Sequence, residues 1–124
     1  MSGIKYFVDT NIIIYLLNGD KEIADILQGS SLSLSFITQL ELLGVQNQSA
    51  SEKRLVESVI RESRVIDINE EIKEIVISIR SKQKIKLPDA IILASSIYTD
   101  IPLITADSIF TKVQPGNVIF YSKK

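Results

Sequence analysis

Four carboxylates stand where an apolar run gives way to a helix or a turn: Asp9, Glu41, Asp89 and Asp107. Asp9 closes Tyr6-Phe7-Val8, and Asp107 closes Leu103-Ile104-Thr105-Ala106. Glu41 and Asp89 are expected in the first turns of two apolar helices. None has a basic residue directly beside it in sequence, and gathered acids repel unless a cation joins them. Hard oxygen ligands of this kind suit Mg²⁺ or Mn²⁺. A cation so held can activate water and neutralise charge on a phosphoryl oxygen. The chain has no histidine and no cysteine. That removes Ser-His-Asp, Cys-His and His-pair catalysis, thiolate chemistry and the commonest zinc ligand. Hydrolytic chemistry, if present, falls to carboxylates and a metal.

The elements that must position these acids alternate between strand and helix. Ile4 to Val8 reads as a fully buried strand, short and rich in aromatic and β-branched residues. Asn11 to Leu17 reads as a helix ending near Asn18-Gly19, and Lys21 to Gln28 as a second. Gly29-Ser30-Ser31 is a turn before a short strand at Leu32-Ser33-Leu34. Thr38 to Gln48 reads as a helix, followed by a polar loop to Ser51. Leu55, Val56, Val59 and Ile60 form an apolar stripe at helical spacing, and Val65 to Ile68 is a strand candidate. Ile72, Ile75, Val76 and Ile79 follow the i, i+3, i+4, i+7 pattern of an amphipathic helix. Pro88 suits the first position of a helix running to about Tyr98, whose centre Ala90–Ala94 is expected to be buried all round. Leu103-Ile104 and Val118-Ile119-Phe120 complete the strands. Strands alternating with helices predict an α/β protein. We expect a three-layer α/β/α sandwich around a short, mostly parallel five-stranded sheet, in one domain spanning residues 1–124. In such a sheet, sites form outside the carboxyl ends of the strands. Acids scattered in sequence can meet there.

Each acid also has a local explanation. Asp9 can cap the helix that follows it. Thr38 and Glu41 have the spacing of a capping box. Asp89 sits where a helix dipole favours an acid, and Asp107 can bond its own backbone in a turn. These explanations do not predict that all four acids reach the same sheet edge. The stretch Arg80-Ser81-Lys82-Gln83-Lys84-Ile85-Lys86 precedes Asp89. It can complement a helix terminus, or Lys82, Lys84 and Lys86 can contact phosphates beside the acids.

Bulk composition sets the frame. At 124 residues the chain suits one domain, and a hydrophobic content of 45% is ordinary for a globular protein. The longest apolar tract, Ile12 to Leu17, falls well short of the roughly 18 residues a membrane span needs. No membrane association and a cytoplasmic location are therefore expected. Net charge is −1, and setting the four acids aside leaves +3. A mildly basic rim around an acidic pit suits a phosphodiester.

The four acids and their neighbours resemble the PIN domain family, and within it the VapC-like toxins of toxin–antitoxin pairs. Phe7-Val8-Asp9-Thr10-Asn11, Thr38 to Gly44 with Glu41, Leu87-Pro88-Asp89-Ala90 and Leu103-Ile104-Thr105-Ala106-Asp107 are similar to the family's four motifs, in order, across essentially the whole chain. The resemblance implies that Asp9, Glu41, Asp89 and Asp107 hold Mg²⁺ or Mn²⁺, with Asn11 and Thr105 orienting carboxylates and water behind them. It implies a metal-dependent endoribonuclease, usually a homodimer, silenced by a small antitoxin that covers the site. The expected chemistry is in-line attack by metal-activated water on an RNA phosphodiester, with Glu41 or Asp89 helping to take the proton. One position departs from the pattern. Ile109 stands where many relatives carry a further Asp, so a second metal would be held less well. Two other readings fit parts of the sequence. One is a catalytically weak PIN-like module for RNA binding or assembly. The other is a haloacid dehalogenase-like phosphatase, which normally has an Asp where this chain has Asn11.

Overall fold

The computed structural model describes residues 3–113 and 115–122. Five strands, β1 (Lys5–Val8), β2 (Ser31–Ser35), β3 (Arg64–Ile66), β4 (Leu103–Thr105) and β5 (Val118–Phe120), form one sheet in the order β3-β2-β1-β4-β5. Every neighbouring pair is parallel. The helices are α1 (Thr10–Leu17), α2 (Lys21–Leu27), α3 (Phe36–Leu43), α4 (Ala50–Glu62), α5 (Glu70–Lys82) and α6 (Leu87–Thr99). A 3₁₀ helix, Ser108–Lys112, lies between β4 and β5.

Side chains on a strand alternate between faces, so consecutive residues of β1 found two separate cores. Phe7 enters a cluster with Ile72, Val76 and Ile79 of α5, Leu93 of α6, and Phe110. Val8 enters another with Ile12 and Ile13 of α1, Ile23 of α2, Val56 of α4, and Ile104. Helices thus cover both faces of a parallel sheet, as such sheets require. The expected three-layer α/β/α architecture is the one observed. The Ile72-Val76-Ile79 stripe is 0%, 7% and 1% exposed, which is the buried face its period demanded.

Several boundaries differ from the sequence reading. β1 is not fully buried, because Lys5 is exposed and Tyr6 half-buried at the rim of the sheet. β2 extends to Ser35, and α3 begins at Phe36, ahead of the expected Thr38. The N-cap is Ser35, whose hydroxyl accepts from the Ile37 amide at 3.1 Å. The capping box expected at Thr38 and Glu41 occurs instead at Ser49 and Glu52. It opens α4 inside the stretch read as polar loop. Pro88 occupies the second position of α6, behind Leu87, and Ile91 is only partly buried.

Strand order places the site. From β1 the chain goes to β2 and β3 on one side, then crosses to β4 and β5 on the other. The direction of winding reverses between β1 and β4. At such a switch point the connections leave in opposite directions, opening a crevice at the carboxyl ends of the two strands. Asp9 follows the last residue of β1, and Thr105 is the last residue of β4.

Candidate active site

Asp9 lies at the base of that crevice and is 5% exposed. Its amide donates to the Ile104 carbonyl at 3.0 Å, which extends the β1–β4 ladder by one step and fixes the residue. Its side chain caps α1: Oδ1 accepts from the Thr10 amide at 2.8 Å. Oδ2 faces β4 and accepts from the buried Thr105 hydroxyl at 2.6 Å and from Asn11 Nδ2 at 3.3 Å. The cap and the site therefore use different oxygens of one carboxylate.

Thr105 and Asn11 each make a second bond that ties the two strand ends together. Thr105 Oγ1 accepts from the Asp107 amide at 3.0 Å, and Asn11 Oδ1 accepts from the Ala106 amide at 3.1 Å. The β4 exit loop is thereby threaded onto the start of α1. Asp107 is exposed, and its Oδ1 accepts from the Ile109 amide at 3.0 Å, opening the 3₁₀ helix. Asp89 is half-buried in the first turn of α6, where the helix dipole favours it.

Glu41 arrives differently from the expectation. It is the sixth residue of α3, far from that helix's N-terminus, and its side chain is exposed. What brings it to the site is Thr10, whose hydroxyl donates to Glu41 Oε1 at 2.6 Å. The same Thr10 oxygen lies 2.9 Å from the hydroxyl of fully buried Thr38. Sequence reasoning read Thr38 as a helix cap and gave Thr10 no role, so it missed that the two hydroxyls meet beside Glu41. The available signal was a hydroxyl directly after Asp9 and another one helical turn before Glu41.

The acids act on one another electrostatically. Asp9 is pushed above the ordinary carboxylate range, first by burial and then by the charges of Asp89 and Asp107. The Thr105 and Thr10 hydrogen bonds oppose that shift. Asp89 is also raised, by burial and then by Asp107, with a smaller push from Glu41. Lys86 pulls the other way. All four acids are thus linked across one sheet edge, although no three acids among the described residues stand close enough to form a ready-made cation cage. Two lysines adjoin two of the acids in space: Lys84 and Lys86 line a cleft of about 370 Å³ with Ile85, Asp89, Asp107 and Ile109. Arg80 serves this loop from behind, donating from Nε to the Ile85 carbonyl at 3.1 Å. Lys82, in the last turn of α5, does not line the cleft. On the other side of Glu41, an apolar groove of about 390 Å³ runs between α1, α3 and α4 past Ile14, Leu17, Val45 and Leu55.

An all-oxygen donor set in which two carboxyls are raised by burial, and further by the acids beside them, fits a hard divalent cation, which would offset both costs of ionisation. Asp9, Asp89, Asp107 and Glu41 are the residues that could hold it.

The PIN domain family profile matches residues 6–114, so the chain belongs to the PIN domain family. Among solved structures, it is 30% identical to a chain of a toxin–antitoxin complex from Klebsiella pneumoniae. That match has a TM-score of 0.81 and covers 95% of this chain and 99% of that one. A chain of VapBC-1 from nontypeable Haemophilus influenzae is 25% identical, with a TM-score of 0.72 and coverage of 94% and 98%. VapBC2 from Rickettsia felis, bound to a DNA fragment from its promoter, shares the fold at 19% identity, with a TM-score of 0.76 and coverage of 96% and 100%. Within its family the chain is VapC-like. A search of curated proteins found no match. Family membership sets aside the haloacid dehalogenase-like alternative. Among the described residues no helix is long and apolar enough to cross a membrane.

Proposed function

We propose that this protein is a metal-dependent endoribonuclease, the toxin of a toxin–antitoxin pair, acting as a single domain. The observation that carries the reading is Asp9. It is a carboxylate at the switch point of the sheet, held by Thr105 and pushed towards protonation by its burial and, to a smaller extent, by Asp89 and Asp107. A structural cap alone needs neither the burial nor the company of other acids.

The chain's own groups divide the work. Asp9 and Asp89, with Asp107 and Glu41 at the rim, hold the cation, Mg²⁺ or Mn²⁺. When bound, the cation supplies charge neutralisation at the scissile phosphate and makes water acidic enough to attack at neutral pH. Asn11 and Thr105 fix Asp9 and the β4 exit loop. Glu41 or Asp89 accepts the proton given up by the attacking water. Lys84 and Lys86 attract the phosphates of an RNA strand into the cleft beside Asp89, with Lys82 further out. Hydrolysis of this kind leaves a 5′-phosphate and a 3′-hydroxyl and does not use the RNA 2′-hydroxyl as nucleophile.

The relatives are toxin–antitoxin complexes, which supports a small antitoxin as partner here. The apolar groove that ends at Thr10 and Glu41 offers such a partner a surface beside the acids. Exposed Ile68, Ile77 and Leu87, at 37%, 68% and 48%, form another apolar face, which supports a homodimer.

The test is incubation of structured RNAs with purified protein in Mn²⁺ or Mg²⁺, with EDTA and Asp9→Asn as controls. Metal-dependent cleavage lost in the variant is expected. Ile109, in place of a further acid, favours a second reading as a weakly catalytic RNA-binding module. Retained RNA binding with no metal-dependent cleavage of any substrate would establish that reading instead. A cyclic 2′,3′-phosphate product would overturn the hydrolytic chemistry.

A further inference from the structure

We infer that Thr10 and Thr38 are positioning residues that set Glu41 at the acidic centre through a directed chain of hydroxyls. The inference rests on the proposed role of Glu41 as a metal-holding acid.

Glu41 needs such a device because its backbone does not aim it. It sits in the second half of α3 with an exposed side chain. A glutamate so placed has three free torsions, and among the described residues no cation pairs with it; the ion pair found there is Lys73–Glu70. Left to itself it would sample solvent, and fixing it costs side-chain entropy. Thr10 removes that freedom. It is the first residue of α1, immediately after Asp9, and it holds two acids at once. Its amide donates to Asp9 Oδ1 at 2.8 Å and its hydroxyl to Glu41 Oε1 at 2.6 Å.

Counting protons gives the direction of the chain. A threonine hydroxyl has one hydrogen. A carboxylate can only accept, so the Thr10 hydrogen is spent on Glu41. The 2.9 Å contact between Thr10 Oγ1 and Thr38 Oγ1 must then use the hydrogen of Thr38. Thr38 is 0% exposed, so its hydroxyl is shielded from water. It lies one turn before Glu41 on the same face of α3. The order is Thr38 to Thr10 to Glu41. Thr38 locks the rotamer of Thr10, Thr10 aims Glu41, and Thr10 also binds Asp9, so α1 and α3 keep the two acids in register.

Partners of this kind behind metal ligands typically matter by about 10-fold to 100-fold in metal affinity. The experiment measures Mn²⁺ affinity by calorimetry on the full chain for wild type, Glu41→Gln, Thr10→Val, Thr10→Ser, Thr38→Val and the Thr10→Val/Glu41→Gln double variant. Circular dichroism confirms that each is folded. Thr10→Val is expected to weaken Mn²⁺ binding by about tenfold, and Thr38→Val by less. Thr10→Ser, which keeps the hydroxyl, should stay near wild type. The double variant should be no weaker than Glu41→Gln alone, because Thr10 acts on the metal only through Glu41. Additive losses in the double variant would overturn the inference and assign Thr10 to packing of α1. So would a Thr10→Ser as weak as Thr10→Val. If Glu41→Gln leaves affinity at wild type, the role of Glu41 itself fails and the inference falls with it. A weakened Glu41→Gln beside an unaffected Thr10→Val overturns the positioning role alone.

Discussion

Replacing Thr105 with valine keeps the shape of a fully buried side chain and deletes one atom's chemistry. Thr105 Oγ1 donates to Asp9 Oδ2 at 2.6 Å. A hydrogen bond to a charged group contributes roughly 1.5–3 kcal/mol. The Asp107 amide uses the same oxygen as acceptor, but a bond between two uncharged groups contributes less than one to a carboxylate, so the Asp9 bond dominates. We expect a loss of about 2 kcal/mol at neutral pH without metal, or roughly 6–10 °C in melting temperature for a chain of this size. The pH dependence identifies the cause. Asp9 is already raised above its ordinary 3.8 in the folded state, so its ionisation costs stability above the folded pKa. That cost disappears as pH falls through the folded pKa. The Thr105 bond is the largest influence opposing the shift. Removing it raises the pKa further and enlarges the cost at neutral pH, leaving the protonated state little changed. The gap between wild type and Thr105→Val should therefore shrink steadily on acidification. Thermal melts of both proteins across neutral to acidic pH, without divalent cation, measure it. A gap of equal size at all pH values would mean that Thr105 acts through packing. No gap at neutral pH would refute the claim that this hydroxyl holds the Asp9 charge.

The same carboxyl shifts govern metal binding. Protons compete for Asp9 and Asp89, both raised, so Mn²⁺ affinity should begin to fall at a pH above the ordinary carboxylate range. Calorimetry over a pH series would show this, and a fall confined to the ordinary range would contradict it. Lys86→Ala should weaken RNA binding for all sequences alike and reduce the magnitude of its salt slope by about 1, as expected for one lost phosphate contact. Lys82→Ala should do less, because Lys82 lies outside the cleft. Asp9→Asn should abolish cleavage and leave α1 intact, since asparagine also caps helices; far-ultraviolet circular dichroism and the cleavage assay together check both halves.

The sheet and its two cores were legible because they rest on periodicity. Ile72-Val76-Ile79 and the β1 run Phe7-Val8 carry patterns that only burial explains. Asp9 and Asp107 were legible because each ends a strand, and a parallel sheet brings strand ends to one edge. The start of α3 was not. Thr38-x-x-Glu41 satisfies the local capping pattern, and nothing local shows that the Thr38 hydroxyl is claimed by Thr10, 28 residues away. The nearness of Lys86 to Asp89, three residues apart, was legible, because the basic stretch runs directly into the start of that helix. What was hidden is that Arg80 donates to the Ile85 carbonyl within that stretch. Local signals failed where a side chain had a distant partner.

The winding order of the sheet also times the appearance of the centre during synthesis. β1, β2 and β3 with the helices between them are complete once residue 66 has emerged. β1 then has a neighbour on one side only. Its other edge stays open until β4 arrives, and Thr105 reaches Asp9 across 96 residues of chain. A nascent chain that stops short of residue 103 thus has Asp9 without Thr105 or Asp107, beside a bare strand edge that invites mispairing. The four acids come together only once β4 and Asp107 have left the ribosome, and until then the centre is incomplete.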